Sequence, residues 1–83
     1  MNYTVTEAIQ EIMSNKEIGV NQLSRQMGKT PSTVSDRIRQ KNISIEKLNE
    51  ILRLLDYRIV IVPATGSIPK GGYVITDSKE DKE

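Results

Sequence analysis

The N-terminal part of the chain carries apolar residues at the spacing of an amphipathic helix. Thr4 and Glu7 form a capping-box pattern, which predicts that the first helix begins directly after Thr4. The apolar residues that follow recur three and four positions apart and predict a helix that runs to about Lys16: Val5, Ala8, Ile9, Ile12 and Met13.

A second, shorter helix is indicated by one apolar face and by a glycine that ends it. The face consists of Val20, Leu23, Ser24 and Met27. Gly28 is suited to the left-handed conformation in which a helix often ends. A turn of about three residues that begins at Gly28 would then lead into a further helix, which is the spacing of a helix-turn-helix.

The third helix begins at Thr30-Pro31, a pattern typical of an N-cap followed by proline at the first helical position. Its apolar residues are Val34 and Ile38, which would pack on the second helix. The opposite side is polar, with Ser32, Thr33, Asp36 and Arg39 outward and Ser35 and Arg37 on the flanks. A surface rich in hydrogen-bond donors and acceptors and poor in bulk suits insertion into a DNA major groove.

The fourth helix has the most complete apolar stripe in the chain. Ser44 is the predicted N-cap, and Ile43 is placed to pack on Leu48 as a hydrophobic staple. The stripe consists of Ile45, Leu48, Ile51, Leu52 and Leu55.

The pattern changes after the fourth helix. Residues 57–62 are rich in β-branched side chains and end at Pro63, which predicts a strand, and residues 64–72 read as a loop. Residues 73–76 could form a second short strand, and the polar residues 77–83 are predicted to be disordered. The predicted organisation is a helical domain over residues 1–57, a strand or hairpin over 58–76 and a tail over 77–83.

The predicted strand is apolar on both faces, so both faces need cover. It could fold back on the helices as a hairpin with residues 73–76, or it could pair with the same strand of a second subunit. The two arrangements are compatible, and a homodimer is favoured over a monomer. Its predicted interface consists of Tyr57, Ile59, Val60, Ile61 and Val62.

The absence of two chemically reactive residue types excludes several classes of function. The chain has 83 residues, as expected for one small domain, and contains neither cysteine nor histidine. Thiolate metal sites and cysteine nucleophiles are therefore excluded, and histidine, the commonest general base and metal ligand, is absent. The glycines of GSIPKGG lack phosphate-loop spacing. The sequence predicts a protein that is not an enzyme, without cofactor, metal or membrane contact.

The net charge of +1 is unevenly distributed. Residues 1–18 sum to −2, residues 19–58 to +4 and residues 59–83 to −1, so positive charge is concentrated around the helix-turn-helix. Such an excess favours contact with a polyanion, although a solvated surface could show the same imbalance by chance.

The segment that carries these features resembles a known family of regulators. Over about residues 4–57 the chain is similar to the Cro / phage-repressor (Xre, lambda-repressor-like) helix-turn-helix family, and the similarity is carried by LSRQMG, STVSDRI and SIEKLNEILRLLDY. The resemblance implies a mainly α fold, with a four-to-five-helix lambda-repressor-like domain and a C-terminal β-strand or short β-hairpin. It also implies a sequence-specific, bacterial or phage-encoded transcriptional regulator, usually dimeric, that places the third helix in the major groove. A dimer favours a two-fold symmetric operator, and the lack of an apolar run of membrane-spanning length predicts a cytoplasmic protein.

The chain departs from the family pattern at two positions. Val20 stands where the family often has a glutamine that contacts a phosphate, so Asn21 or Gln22 could take that role. Asp56 stands where the family often has glycine before an aromatic residue. Aspartate tolerates left-handed backbone geometry better than most residues, so we expect the turn to be kept.

Candidate DNA contacts follow from the helix-turn-helix. Predicted base-reading residues are Pro31, Ser32, Thr33, Asp36 and Arg37. Asp36 could accept a hydrogen bond from a cytosine amino group, or it could pair with Arg39 or Lys29 on the helix surface. Predicted backbone contacts are Asn21, Gln22, Lys29, Thr30, Ser35, Arg39, Lys41 and Asn42.

Two classes of function remain open from the sequence. The first is a DNA-binding regulator, with repression as its expected action. The second is a protein-interaction module, or an antitoxin-like partner, that uses the same fold without a primary DNA role.

Overall fold

The computed structural model describes residues 2–76, which contain four helices and two short strands. The elements are, in order, β1 (Asn2–Tyr3), α1 (Val5–Lys16), α2 (Val20–Met27), α3 (Pro31–Arg39), α4 (Ile45–Leu54) and β2 (Val74–Ile75). The predicted mainly helical fold with a small C-terminal strand region is confirmed. The disorder predicted for residues 77–83 lies outside the described residues.

Three of the four helices begin at the side-chain caps that the sequence predicts. The backbone N–H of Glu7 donates to Thr4 Oγ1 at 3.2 Å, and the Thr4 N–H donates to Glu7 Oε1 at 3.1 Å, which completes the capping box. The hydroxyls of Thr30 and Ser44 accept from the third helical N–H of α3 and α4, each at 3.2 Å. These caps satisfy backbone donors that the helices themselves leave unpaired.

The helices meet in one aliphatic core. Its most deeply buried side chains come from all four helices and from the residue that directly follows α4: Ile9, Leu23, Val34, Ile51 and Leu55. Ile45 was predicted to belong to the α4 stripe, and that expectation is wrong, because its side chain is exposed. Ile45 is the first helical residue, and helical side chains point toward the N-terminus, so this one points off the end of α4. Within residues 2–76 no helix is both long enough and apolar enough to span a membrane.

Left-handed residues end three of the helical segments. Gly28 has φ 69° after α2, and Asp56 has φ 63° just after α4. Asp56 therefore keeps the left-handed turn for which the family often uses glycine, as predicted. Glu17 adopts φ 57° after α1, a geometry that the sequence did not signal because glutamate is rarely chosen for it.

The C-terminal segment differs from the predicted hairpin. Residues 58–62 form neither helix nor strand, and Ile59 to Val62 are exposed. β2 pairs instead with β1 in parallel, with Asn2 opposite Val74 and Tyr3 opposite Ile75. The predicted hairpin between residues 57–62 and 73–76 is therefore wrong, because β1 takes the place of its partner strand. Pairing between two subunits and the division into 1–57 and 58–76 remain predictions.

All three tyrosines of the chain lie together where the C-terminal segment returns to α1. The Tyr3 and Tyr73 rings pack edge to face at 4.8 Å between centroids, and Tyr57 lies 6.3 Å from Tyr73. The Tyr57 hydroxyl donates to the Gly71 carbonyl at 3.0 Å. Burial, together with the neighbouring Tyr57, Glu11 and Tyr3, raises the pKa of Tyr73. The cluster fastens the end of the described chain to its beginning.

Candidate nucleic-acid interface

The helix-turn-helix is built on a small set of buried contacts. Leu23 of α2 and Val34 and Ile38 of α3 are almost fully buried, and residues 28–30 connect the two helices. Ser24 of α2 is also buried, and its hydroxyl donates to the Asn21 carbonyl at 2.8 Å. The hydroxyl is thereby satisfied within its own helix, so Ser24 is buried without an unpaired polar group.

The two buried residues of α3 show which side of the helix faces the core. Successive helical residues are rotated by about 100°, so Val34 and Ile38 face inward while Asp36 faces the opposite way. Pro31, Ser32 and Thr33 are exposed, as is Asp36. Ser32, Thr33 and Asp36 therefore share one accessible surface, and Pro31 is exposed at the start of the helix.

The first turn of α3 contains a compact group of hydroxyls. Thr30 Oγ1 lies 2.9 Å from Thr33 Oγ1, to which it donates, and 3.3 Å from Ser32 Oγ. Because Thr30 also caps the helix, the same oxygen fixes both the start of α3 and the local orientation of its two neighbours. The hydroxyls are arranged before any ligand is bound.

The acid on the outward face has a partner on its own helix. Arg39 Nη2 donates to Asp36 Oδ1 at 3.1 Å, and Arg39 Nη1 donates to Ser35 Oγ at 2.8 Å. Asp36 and Arg39 are both exposed. Exposed ion pairs contribute little to stability, so either group can exchange this partner for another at small cost.

Arg37 occupies a different environment from the other charged residues of α3. Its side chain is only 15% exposed, and its Nη1 atom lies 3.1 Å from Glu50 Oε1 of α4. A residue predicted to read bases is thus paired with α4 at a partly buried position. The sequence did not predict this ion pair or that the Arg37 side chain points toward α4, because Glu50 lies 13 positions further along the chain.

A second long-range contact holds the end of α3. The Thr6 hydroxyl of α1 donates to the Ile38 carbonyl at 2.6 Å. The last carbonyls of a helix lack partners within it, so this bond satisfies one of them. Residues 32 positions apart meet in this contact, and no local pattern in the sequence could have signalled it.

Comparison with known proteins decides the family. The model of the Cro/C1-type HTH DNA-binding domain matches residues 8–59, which is more than half of the chain. The chain belongs to this family. No curated protein and no solved structure matched it. The predicted family is confirmed, and membership supports a role as a DNA-binding regulator.

The remaining predicted contacts of this Cro/C1-type domain surround α3. Asn21 and Gln22 are exposed at the start of α2, and Lys29 is exposed in the turn. Lys41 and Asn42 are exposed after α3. The start of α2 also approaches the Arg39 side of α3, because both border a shallow groove of about 190 Å³ whose lining residues include Val20, Ser35 and Arg39. Val20, which directly precedes the predicted contacts Asn21 and Gln22, therefore lies on the same groove as Ser35 and Arg39 of α3.

Proposed function

We propose that the protein is a sequence-specific regulator of transcription that binds double-stranded DNA with α3 in the major groove. The observation that carries the proposal is the division of α3 into a buried apolar side and an exposed polar side. Pro31, Ser32 and Thr33 lie in the first turn, the part of a recognition helix that usually reaches base edges.

The exposed face offers chemistry for base recognition. The hydroxyls of Ser32 and Thr33 can donate to or accept from several base edges, and the Pro31 ring can contact a thymine methyl group. Asp36 can accept from a cytosine amino group once Arg39 turns to a phosphate. Their present hydrogen bond joins exposed groups, so this exchange costs little.

The phosphate contacts would come from both sides of α3. Residues on the α2 side and beyond the end of α3 are exposed and polar or basic, which suits contacts that fix register without reading sequence. The proposed set is Asn21, Gln22, Lys29, Thr30, Ser35, Arg39, Lys41 and Asn42.

We propose that the protein binds as a homodimer through residues 57–62. Ile59 to Val62 form an exposed apolar run, and no strand within residues 2–76 pairs with it. A second copy could pair with this run and bury it. Two α3 helices would then meet a two-fold symmetric operator, and occupancy of a promoter by the dimer would repress transcription.

Selection of bound sequences from random duplex DNA tests the proposal. We expect an enriched palindrome whose half-sites are about 10 base pairs apart. Ser32→Ala should weaken binding to the selected site by about tenfold, because one base-edge contact is lost. Ser14→Ala, which removes an exposed hydroxyl from α1, is the matched control. Recovery of no enriched sequence would contradict sequence-specific binding.

The predicted phosphate contacts have their own test. Arg39→Ala should weaken binding to all duplexes and reduce the slope of log affinity against log salt by about 1. Lys47→Ala removes an exposed positive charge from α4 and should leave the slope closer to that of the wild type. Equal slopes for the two variants would show that Arg39 does not contact a phosphate.

The exposed apolar run also supports a second candidate function. A partner protein, rather than a second copy, could add a strand to Ile59–Val62, as in an antitoxin-like complex. Selection of an operator by the isolated protein would favour the regulator. Stable association with itself in the absence of DNA would favour the homodimer over a foreign partner.

A further inference from the structure

The two halves of α3 are held in different ways. Its first turn is held by hydrogen bonds within residues 30–33, and its side chains are exposed. Its second half is linked to two other helices, through the Thr6 hydroxyl on the Ile38 carbonyl and through the Arg37–Glu50 pair. The polar links to the rest of the protein thus lie in the half of α3 that is further from Pro31, Ser32 and Thr33.

Arg37 stands at the edge of the proposed DNA surface. It follows Thr33 by one helical turn, so the two residues lie on the same side of α3. The Arg37 side chain is 15% exposed and that of Glu50 is 43% exposed. A guanidinium that is largely covered is screened less by water and salt than an exposed one, so this pair is held more firmly than Asp36–Arg39.

We propose that Glu50 determines DNA specificity by holding Arg37 against α4, where this guanidinium is withheld from the phosphate backbone. The inference rests on the proposed DNA-binding function. A phosphate is present at every position of a duplex, so a free arginine beside α3 would strengthen binding to any sequence. With Arg37 engaged by Glu50, recognition depends on the neutral hydroxyls and Asp36 of the outward face.

Glu50 competes with the DNA phosphates for Arg37. Its carboxylate offers the guanidinium the same charge-assisted hydrogen bond that a phosphate oxygen would offer. Its link to Arg37 also fixes the side of α3 that faces α4. Loss of Glu50 would therefore add a non-specific contact and remove an anchor of the specific complex, so both effects lower the ratio of specific to non-specific affinity.

The matched pair Glu50→Ala and Glu46→Ala tests the proposal in the full chain. Both substitutions remove one negative charge from α4, and Glu46 is exposed in its first turn. For binding to random duplex, the slope of log affinity against log salt should be steeper for Glu50→Ala than for Glu46→Ala by about 0.9. Between about 50 and 200 mM salt, the affinity of Glu50→Ala should therefore fall by about threefold more. Glu50→Gln keeps the side-chain length and should shift the slope in the same direction.

The role of Arg37 is tested by adding Arg37→Met to Glu50→Ala. The double variant should return to the slope of Glu46→Ala, because the released cation is gone. Equal slopes for Glu50→Ala and Glu46→Ala would overturn the proposal, as would an effect that persists without Arg37. Wild-type protein that does not bind duplex DNA would overturn the proposed function as well, so the wild-type measurement separates the two failures.

Discussion

Leu23 and Ile61 are both large aliphatic residues, yet Leu23 is 0% exposed and Ile61 is 98% exposed. Leu23 belongs to the helical body, residues 4–57, in which every helix buries its apolar side against another. Ile61 belongs to the C-terminal segment, residues 58–76, in which most apolar side chains remain exposed. The same kind of residue therefore has opposite surroundings in the two regions.

The difference follows from where backbone hydrogen bonds are made. A helix satisfies its own N–H and C=O groups, so its apolar side needs only a neighbouring surface. An extended segment needs a second strand as well as cover for its side chains. Residues 74–75 have a neighbouring strand in β1 but lack cover for their exposed side chains, whereas residues 58–62 have neither within the described chain.

The largest expected effect is the difference in stability loss between substitutions at Leu23 and at Ile61. Leu23→Ala should lower the free energy of unfolding by about 3 kcal/mol or more, because it leaves a cavity in a packed core. Ile61→Ala should change it by less than about 0.5 kcal/mol at concentrations where the chain is monomeric, because the side chain is already solvated. Urea unfolding of both variants measures the difference, and similar losses would contradict the division into body and segment.

The sequence was sufficient for the helical body because its signals are local. Caps at Thr4, Thr30 and Ser44 and the stop at Gly28 each depend on residues within one helical turn. The same local reasoning failed for residues 57–62. β-branched composition indicates an extended backbone but does not say which strand lies beside it.

The candidate site was predictable to a similar extent. The inward direction of Val34 and Ile38 follows from helical periodicity, and with it the outward direction of Asp36. The contacts of Thr6 with Ile38 and of Arg37 with Glu50 depend on how separate helices cross, which periodicity does not specify. The prediction that Arg37 reads bases was therefore made without knowledge of its ion pair with Glu50.

The second prediction asks whether the exposed run is an interface. Ile61→Asp should raise the dissociation constant of the dimer by about 100-fold, because each of two copies would lose about 1.5 kcal/mol of apolar burial or more. Ile45→Asp is the matched control, since Ile45 is an exposed isoleucine on the helical body. Sedimentation equilibrium measures both. Equal association of the two variants would show that residues 57–62 do not form the interface.

The third prediction compares one hydrogen bond from each region. Thr6→Val should cost about 1–2 kcal/mol of stability, because it leaves the partly buried Ile38 carbonyl without its donor. Tyr57→Phe removes an exposed bond to Gly71, whose carbonyl can turn to water, and should cost about 0.5 kcal/mol or less. Thermal unfolding of the two variants measures the contrast. A larger loss for Tyr57→Phe would mean that the C-terminal segment contributes more to stability than its exposure indicates.

The smallest expected effect is a pH dependence at the point where the two regions meet. The pKa of Tyr73 is raised in the folded protein, chiefly by burial and then by Tyr57 and Glu11, so the fold favours the neutral phenol. Its contribution to stability is complete below the unfolded pKa of about 10 and is lost as the pH rises through the folded pKa. Tyr73→Phe keeps the ring packed on Tyr3 but cannot ionise. Urea unfolding between about pH 9 and 11 should therefore show a shallower alkaline loss of stability for Tyr73→Phe than for wild type. Parallel losses in the two proteins would show that ionisation of Tyr73 is not coupled to the docking of the C-terminal segment on α1.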